Sequence, residues 1–507
     1  MVQFILSGIQ SGVGIGYFGP QRSLVSPNWP SSLENRVKVT EVINNNLYHG
    51  RVAGPWDHPP LANFVSSPLG AVTKKHTDKV RVIHDLSWPP GQSVNDGISK
   101  EDYTLSYSTI DDAVDKCLLF SEPCWMAKCD LKNAFTHIIT RPADWNQLGF
   151  QWEGKYYIST CLPFGMRSSP KLFDIFAQGL EYMAIQNGTS LLTSHYLDDT
   201  ITIEGSQATC NHSINVLKST AKSSGMDIHE DLPKCTKAAQ EMEYLGVIIN
   251  TVSRELRISE ERLSDTEEEL KTWINRKVCT KRQLLSLIGK LSFIARVVRS
   301  ARTFLRHLID LSKKARHLHF KLKLNSQTRI DIQWWLDSIR SHNGVAMFPE
   351  PWVFASTLQL WTDASDLAGG AVFGEHWFCV PFARDKAWCA YMSICWRELY
   401  MVVKAVKTWA KELENKRIIL NVDNMAACHC INKGCSKNAD LMELIRALYF
   451  ILVQHNIECR AFYLPSEANV CADAISRYNF ETFRKARPSA GDVMYSPIDF
   501  CFYGDLI

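Results

Sequence analysis

The sequence predicts an α+β chain of several domains, and three observations carry that expectation. Its 507 residues allow three or four domains, and 46% hydrophobic residues suffice for real cores. Short runs of β-formers that end in carboxylates fall into two groups, one on each side of a Gly- and Pro-marked break at 341–356. Between them lies a basic stretch whose apolar residues recur at helical spacing.

Residues 1–50 read as a loop-rich extension around Pro20, Pro27 and Pro30, without a recognisable motif. Met1 to Phe18 is uncharged and fairly apolar, but it has no basic n-region and is broken by Gly8, Gly12, Gly14 and Gly16. Neither a secretory signal nor a membrane span is expected there. The run from Gly12 to Gly16 lacks the strand–helix surroundings of a dinucleotide fingerprint.

Tyr196-Leu197-Asp198-Asp199 is the most informative segment. Leu191, Leu192, Thr193 and Tyr196 favour strand before it, and Thr200 to Ile203 alternates at period two after it. The Asp pair is therefore expected at a hairpin tip. A third acid, Asp130, ends another strand-like run, Ala127-Lys128-Cys129. Clustered carboxylates repel each other and raise each other's proton affinity unless a cation lies between them. An oxygen-only set suits Mg²⁺, and two such ions can serve a phosphoryl displacement. A second Asp pair, Asp111-Asp112, follows Ser108-Thr109 and reads instead as the first turn of a helix.

Net charge is only +3, so the whole chain does not announce a polyanion partner. The distribution does. From Arg276 to Lys323 cations crowd together against the single acid Asp310, while Leu284, Leu287, Ile288, Leu291, Ile294 and Val298 trace one buried helical face. Arg296, Arg299, Arg302 and Arg306 would share a second face if the helix continued past Ser300. Such a face suits duplex phosphates. The acidic stretch Glu255 to Leu270 should face away from nucleic acid.

Beyond the break, Leu358 to Asp363 reads as a strand ending in an acid, with Gly369 to Phe373 as its hairpin partner. Trp396 to Leu413 reads as a helix carrying Glu398, and Ile418 to Asp423 as a buried strand ending in another acid. Asp473 follows in Asn469-Val470-Cys471-Ala472-Asp473. Carboxylates from neighbouring strand ends and a covering helix can hold a metal pair against a phosphate. The 16 cysteines contain no C-x-x-C, and Cys428-His429-Cys430 with Cys435 has the wrong spacing for zinc. They read as reduced thiols of an intracellular protein, in the cytoplasm or nucleus.

From Lys74 to Tyr244 these segments, in this order, resemble a reverse transcriptase. Lys74, Lys75 and Arg81 resemble the fingers cations; Ala127 to Phe135 the segment of the first metal ligand; Leu162-Pro163-Phe164-Gly165 the L-P-F-G segment. Ser168 or Ser169 as N-cap and Pro170 at N1 then open a helix. Tyr196 to Asp199 resembles the catalytic box, and Tyr244 to Ile248, with Leu245 and Gly246 at its turn, the primer-grip hairpin. Asp363, Glu398, Asp423 and Asp473, with Thr362-Asp363-Ala364-Ser365, resemble a ribonuclease H. Tyr463-Leu464-Pro465-Ser466 departs from the related H-I-P-G, so no helper histidine is assigned; His429 and His455 qualify by residue type alone.

The resemblance implies a right-hand polymerase of fingers, palm and thumb followed by an α/β ribonuclease H-like domain. Its segments are 1–50, an extension; 51–252, fingers and palm; 253–340, a helical basic thumb; 341–356, a linker; 357–480, ribonuclease H-like; and 481–507, a tail. It implies that Asp130, Asp198 and Asp199 hold two Mg²⁺ (Mn²⁺ as a substitute), and that Asp363, Glu398, Asp423 and Asp473 hold a second pair. Lys74 and Arg81 would contact the triphosphate, and Phe135 would reject the ribose 2′-hydroxyl. Leu245, Gly246 and the four arginines would touch nucleic acid. The implied partners are an RNA template, a DNA primer, dNTPs and an RNA–DNA hybrid, with no membrane. Trp396-Arg397-Glu398-Leu399, Asn432-Lys433-Gly434 and Leu308-Ile309-Asp310-Leu311 most resemble DIRS-type retrotransposons, ahead of gypsy-type elements and pararetroviruses. The rival expectations are a catalytically dead copy that still binds nucleic acid, and a ribonuclease with a structural palm.

Overall fold

The computed structural model describes residues 1–73, 80–298, 301–344, 346–347, 357–382, 391–491 and 494–499. Lys74 and Arg299 lie outside the described residues. The contacts gather into two compact units, Met1–Leu245 with Ile249–Ser253, and Gly246–Ile248 with Arg254–Ile507. Among the described residues no helix is long and apolar enough to cross a membrane.

In the first unit the site rests on a three-stranded sheet. β1 (Trp125–Asp130) and β2 (Ser194–Tyr196) flank β3 (Asp199–Glu204), both antiparallel to it. β3 is buried on both faces: Ile201, Ile203 and Thr202 are fully enclosed. Thr202 is tolerated there because its hydroxyl meets that of Thr193 at 3.0 Å. Helices α1 (Ser169–Gln186) and α2 (Gln207–Ser223) contribute Phe173, Phe176, Leu180, Ile214 and Leu217 to the core shared with Ala127 and Cys129. Ser168 is the N-cap residue of α1 in position only, since its hydroxyl donates to the Ile15 carbonyl. Asp111-Asp112 does open a helix, with Thr109 and Asp112 forming a capping box.

Two expectations about this unit are corrected. Residues 1–50 are largely helical, with helices at Val2–Ser11, Pro30–Glu34 and Arg36–Tyr48. Pro30 opens its helix rather than breaking one. Gly8, the buried residue of the first helix, packs closely: a Cβ there would sit 2.8 Å from Val13 and 3.0 Å from the Phe176 ring. Leu191 and Leu192 form a turn rather than strand, so β2 is only three residues long.

The second unit begins with helices α3 (Glu260–Ile274), α4 (Lys281–Ile294), α5 (Arg306–Lys313) and α6 (Ser326–Ser338). Leu284, Leu287, Leu291 and Ile294 are the buried face of α4, as their spacing predicts. The continuous arginine face is not formed. α4 stops at Ile294, and a 3₁₀ turn, Ala301–Leu305, separates it from α5. A single row would need an unbroken helix, but Phe304, at φ −87° and ψ 16°, leaves helical geometry between Arg302 and Arg306.

A five-stranded sheet follows, in spatial order β6-β5-β4-β7-β8. β4 (Leu358–Ala364), β5 (Ala368–Phe373) and β6 (His376–Pro381) are antiparallel neighbours. Helix α7 (Ile394–Thr408), strand β7 (Arg417–Val422), helices α8 (Met425–Lys433) and α9 (Ala439–Gln454), strand β8 (Glu458–Tyr463) and helix α10 (Val470–Ser476) complete it. β4, β7 and β8 run parallel, with Thr362 level with Val422 and Val422 with Tyr463. Leu399, Val402, Val403 and Val406 of α7 pack into the core with Leu360 and Leu420.

The helices of 253–340 belong to the same compact unit as this sheet, although a break was expected between them. Buried polar contacts join the two. Arg446 of α9 meets Asp331 of α6 at 2.5 Å, and the Thr303 hydroxyl donates to the Gly434 carbonyl at 2.9 Å. The Arg446 guanidinium also lies 5.1 Å over the Phe304 ring.

Candidate active sites

The first site forms where β1 and β3 end together. Asp199 stands opposite Asp130, and Asp199 with Tyr196 closes a two-residue turn of Leu197 and Asp198. Leu197 has φ 54°, which tightens the turn and leaves Asp198 at its tip. The Leu131 amide donates to the Asp198 carbonyl at 2.9 Å, fixing the turn against the end of β1. The three predicted acids are therefore brought together.

Burial, with repulsion from Asp130, raises the Asp198 carboxyl above its ordinary value. Asp199 is pushed to about 6, chiefly by burial; Lys128 opposes the rise while Asp130 and Asp198 add to it. Lys234 forms an ion pair with Asp130. This lysine was not foreseen: it lies 104 residues from its partner, and no local pattern announces it. A cavity of about 420 Å³ opens here, with Arg81, Phe164, Asp198, His229 and Lys234 in its walls.

Arg81 sits on the strand Val80–His84, its guanidinium 5.7 Å over the Phe164 ring. Phe135 does not line the cavity. It is only 9% exposed, packed 4.9 Å from Phe164 and 5.5 Å from Phe173 between ring centroids. Phe164, at 42% exposure, is the aromatic face that the cavity meets. Leu245 and Gly246 have φ 47° and 80°, a tight hairpin tip.

The second site lies at one end of the five-stranded sheet. Asp363 and Asp423 come from adjacent parallel strand ends, where Thr362 and Val422 are in register. Asp363 accepts from the Ser476 hydroxyl at 2.6 Å, and Glu398 Oε1 accepts from the Ala364 amide at 3.0 Å. Glu398 Oε2 is buried with no hydrogen-bond partner among the described residues. Burial, then repulsion from Asp363, pushes Glu398 up to about 9. Asp363 is raised to about 6 by burial, a rise that Ser476 opposes and Asp473 and Asp423 reinforce.

Asp423 accepts from Ser466, and Asp473 pairs with Arg477 at 2.8 Å. Ser476 and Arg477 were missed, although both follow Asp473 at the helical spacing that puts side chains on one face. His455 lies at the far end of α9, 3.8 Å from Glu414, and His429 is exposed on α8. Among the described residues no three His, Cys, Asp or Glu side chains are already gathered into a metal cage. Both donor sets nonetheless fit a hard divalent cation: all ligands are oxygens, burial raises Asp198 and Asp199 in the first and Asp363 and Glu398 in the second, and Glu398 keeps one buried oxygen unpartnered among the described residues.

Arg296 and Arg302 are exposed on separate turns. Arg306 is committed to Asp310 at 2.7 Å. The acids of α3 are engaged locally: Arg340 reaches both Glu260 and Glu267, and Lys290 pairs with Glu269.

Residues 74–249 match the family model described as reverse transcriptase (RNA-dependent DNA polymerase). The chain is 21% identical over 375 residues to the transposon Tf2-3 polyprotein of Schizosaccharomyces pombe, covering 70% of this chain and 25% of that protein. It is 26% identical over 276 residues to the Gag-Pol polyprotein of avian reticuloendotheliosis virus, covering 52% of this chain and 21% of that one. The chain thus spans about a quarter of the length of the curated relatives it matches. Among solved structures it is similar to a foamy viral protease-reverse transcriptase in complex with RNA/DNA hybrid, at TM-score 0.53 and 17% identity, over 90% of this chain and 58% of that one. A second, in complex with double-stranded DNA, gives TM-score 0.53 and 16% identity, over 89% and 74%. The α+β multidomain fold expected from the sequence is shown by this likeness. Residues 74–249 are a reverse transcriptase domain of the kind found in retrotransposon and retroviral polymerases.

Proposed function

We propose that the chain is an RNA-directed DNA polymerase with an attached ribonuclease H, copying the RNA of a DIRS-type retroelement inside the cell. The observation that carries this reading is the register of Asp199 against Asp130, with Asp198 at the adjoining turn, inside the matched domain. Asp130, Asp198 and Asp199 would hold Mg²⁺, or Mn²⁺ in its place. Bound there, the ion supplies charge neutralisation for the primer 3′-oxygen and the departing pyrophosphate.

The remaining work falls to the chain. Arg81, with Lys74, binds the triphosphate of the incoming dNTP. Phe164 faces the sugar, backed by Phe135, which holds that ring in place. Asp363, Glu398, Asp423 and Asp473 form the second cation site, where the RNA strand of the hybrid is cut; the 2′-hydroxyl distinguishes it from DNA. Leu245, Gly246 and the exposed arginines Arg296 and Arg302 contact the template and primer backbones.

Primer extension on an RNA template, paired with cleavage of a labelled hybrid, tests the reading. Asp198→Asn should lower DNA synthesis by about 100- to 1000-fold or more, the scale of losing an electrostatic catalytic group. Hybrid cleavage should be largely retained. A parent protein that extends no primer overturns the reading. Equal loss of both activities in a folded Asp198→Asn variant overturns the separation of the sites.

A further inference from the structure

We propose that His195, held between Asp174 and Glu181, is a positioning residue for the turn that carries Asp198. This rests on the polymerase reading above. His195 is largely buried on β2, its Nδ1 2.5 Å from Glu181 Oε2 and its Nε2 3.2 Å from Asp174 Oδ1. Both acids project from α1, seven residues apart, so they lie two turns apart on one face. Between them Gln178 donates to the second oxygen of Asp174 at 2.8 Å. An imidazole that donates to a carboxylate from each ring nitrogen is an imidazolium.

The turn needs such an anchor. β2 is a three-residue edge strand bonded only to β3, so its ladder is short. His195 is level with Thr200, the next pair is Tyr196 with Asp199, and Leu197 follows with φ 54°. That region is sparsely populated by residues with a Cβ and persists only where the surroundings over-determine it. The clamp grips the free edge two residues before the strained position. It also ties the turn to α1, the helix that begins just after Phe164 in the cavity wall. His195 thereby sets the spacing between the metal-binding turn and that wall.

Other groups face the cluster. Lys116 lies within electrostatic range of Glu181 and donates to the Thr193 carbonyl at 3.1 Å, while Tyr107 senses Asp174 and Tyr244 senses Glu181. Burial works against the imidazolium, but Glu181 and then Asp174 outweigh it, and His195 is held above the ordinary histidine range.

The test uses the full chain with His195→Ala and His195→Gln, following single-nucleotide addition, hybrid cleavage and the imidazole resonances of isotope-labelled histidine. His195→Ala should lower kcat for addition by about 10- to 100-fold, the scale of a small misplacement of reacting groups. The KM for dNTP should stay near that of the parent, because triphosphate contacts are untouched. Hybrid cleavage should also hold, and the resonances of the other histidines of the first unit, the buried His84 among them, should keep their parental positions, which shows that this unit is folded in the variant. His195→Gln, which keeps one donor, should recover part of the loss. In the parent, the His195 resonance should titrate above free histidine.

Unchanged kcat in His195→Ala overturns the proposal, as do a loss carried by KM alone and a His195 resonance that titrates as a free histidine. A parent that makes no DNA but shows the raised resonance overturns the polymerase reading and leaves a structural clamp without a positioning role.

Discussion

Asp363 and Glu398 are joined through a single peptide: the amide that follows Asp363, that of Ala364, donates to Glu398 Oε1 at 3.0 Å. The two carboxylates are thus held side by side by the backbone of β4. Burial raises both: Asp363 to about 6, against the Ser476 hydrogen bond and with Asp473 and Asp423 adding to it, and Glu398 to about 9, with Asp363 adding to it.

A stability profile follows from this pair. The folded state binds these protons more tightly than the unfolded chain, whose carboxyls titrate near about 4. The stabilisation is fully present below that pH and is lost as pH rises through about 6 and then about 9. Thermal melts in chelator should therefore fall by several degrees between about pH 5 and 9. Glu398→Gln should flatten the upper part of the curve. Mg²⁺ should raise the melting temperature more at pH 8 than at pH 5, because it favours the charged forms. A melt independent of pH with and without Mg²⁺ would contradict the assignment.

On the proposed function, Phe135 serves sugar selection through its neighbour Phe164. Phe135→Ala removes a ring packed on Phe164 and Phe173, so it should cost about 3 to 5 kcal/mol of stability and let Phe164 settle inward. The vacated space would admit a 2′-hydroxyl. Incorporation of rNTP relative to dNTP should rise in Phe135→Ala, and less in Phe135→Val. Competition assays read the ratio; an unchanged preference in a folded variant removes Phe135 from sugar selection.

The pairing of Asp331 with Arg446 offers a structural test within the second unit. Asp331 is fully buried and Arg446 is 4% exposed, so deleting one partner strands a charge. Asp331→Ala should destabilise this unit by about 3 to 5 kcal/mol. Denaturant unfolding of the full chain should show an early transition with loss of hybrid cleavage. A midpoint matching the parent would mean the helices and the sheet do not stabilise each other through this pair.

The arginines predict a modest salt effect. Only Arg296 and Arg302 are exposed among the described members of the set, while Arg306 is committed to Asp310. Neutralising Arg296 and Arg302 should flatten the slope of log affinity against log salt by up to about 2 units on duplex. The weakening should be similar across sequences. Adding Arg306→Gln should change the slope little, and a large further change would release Arg306 from its intramolecular role.

The chemistry-bearing strands were legible in the sequence, and the physical reason is local. Thr200 to Ile203 alternates, Asp130 and Asp423 end runs of β-formers, and the apolar residues of α4 recur at helical spacing. What pairs across distance was not legible. Lys234 and Asp130 become neighbours only when a distant turn folds back onto the sheet, and His195 with Asp174 and Glu181 only when sheet and helix meet. The arginine row failed because the helix that would align it stops at Ile294 and helical geometry is interrupted again at Phe304, which the spacing of charges does not announce. Proline misled at the N-terminus, where Pro30 begins a helix.

The parallel alignment of β4 with β7 makes the second site sensitive to one kind of genetic lesion. Asp363 and Asp423 each stand one residue past the matched pair Thr362 and Val422, and the chain between those strands must cross over at length. Codons gained or lost in an exposed crossover turn change a loop and leave the acids where they are. One codon gained inside Arg417–Val422 shifts every following side chain to the opposite face of the sheet and carries Asp423 away from its partner. An in-frame change within this six-residue strand would thus disable the proposed second cation site while all four of its acid codons stay intact.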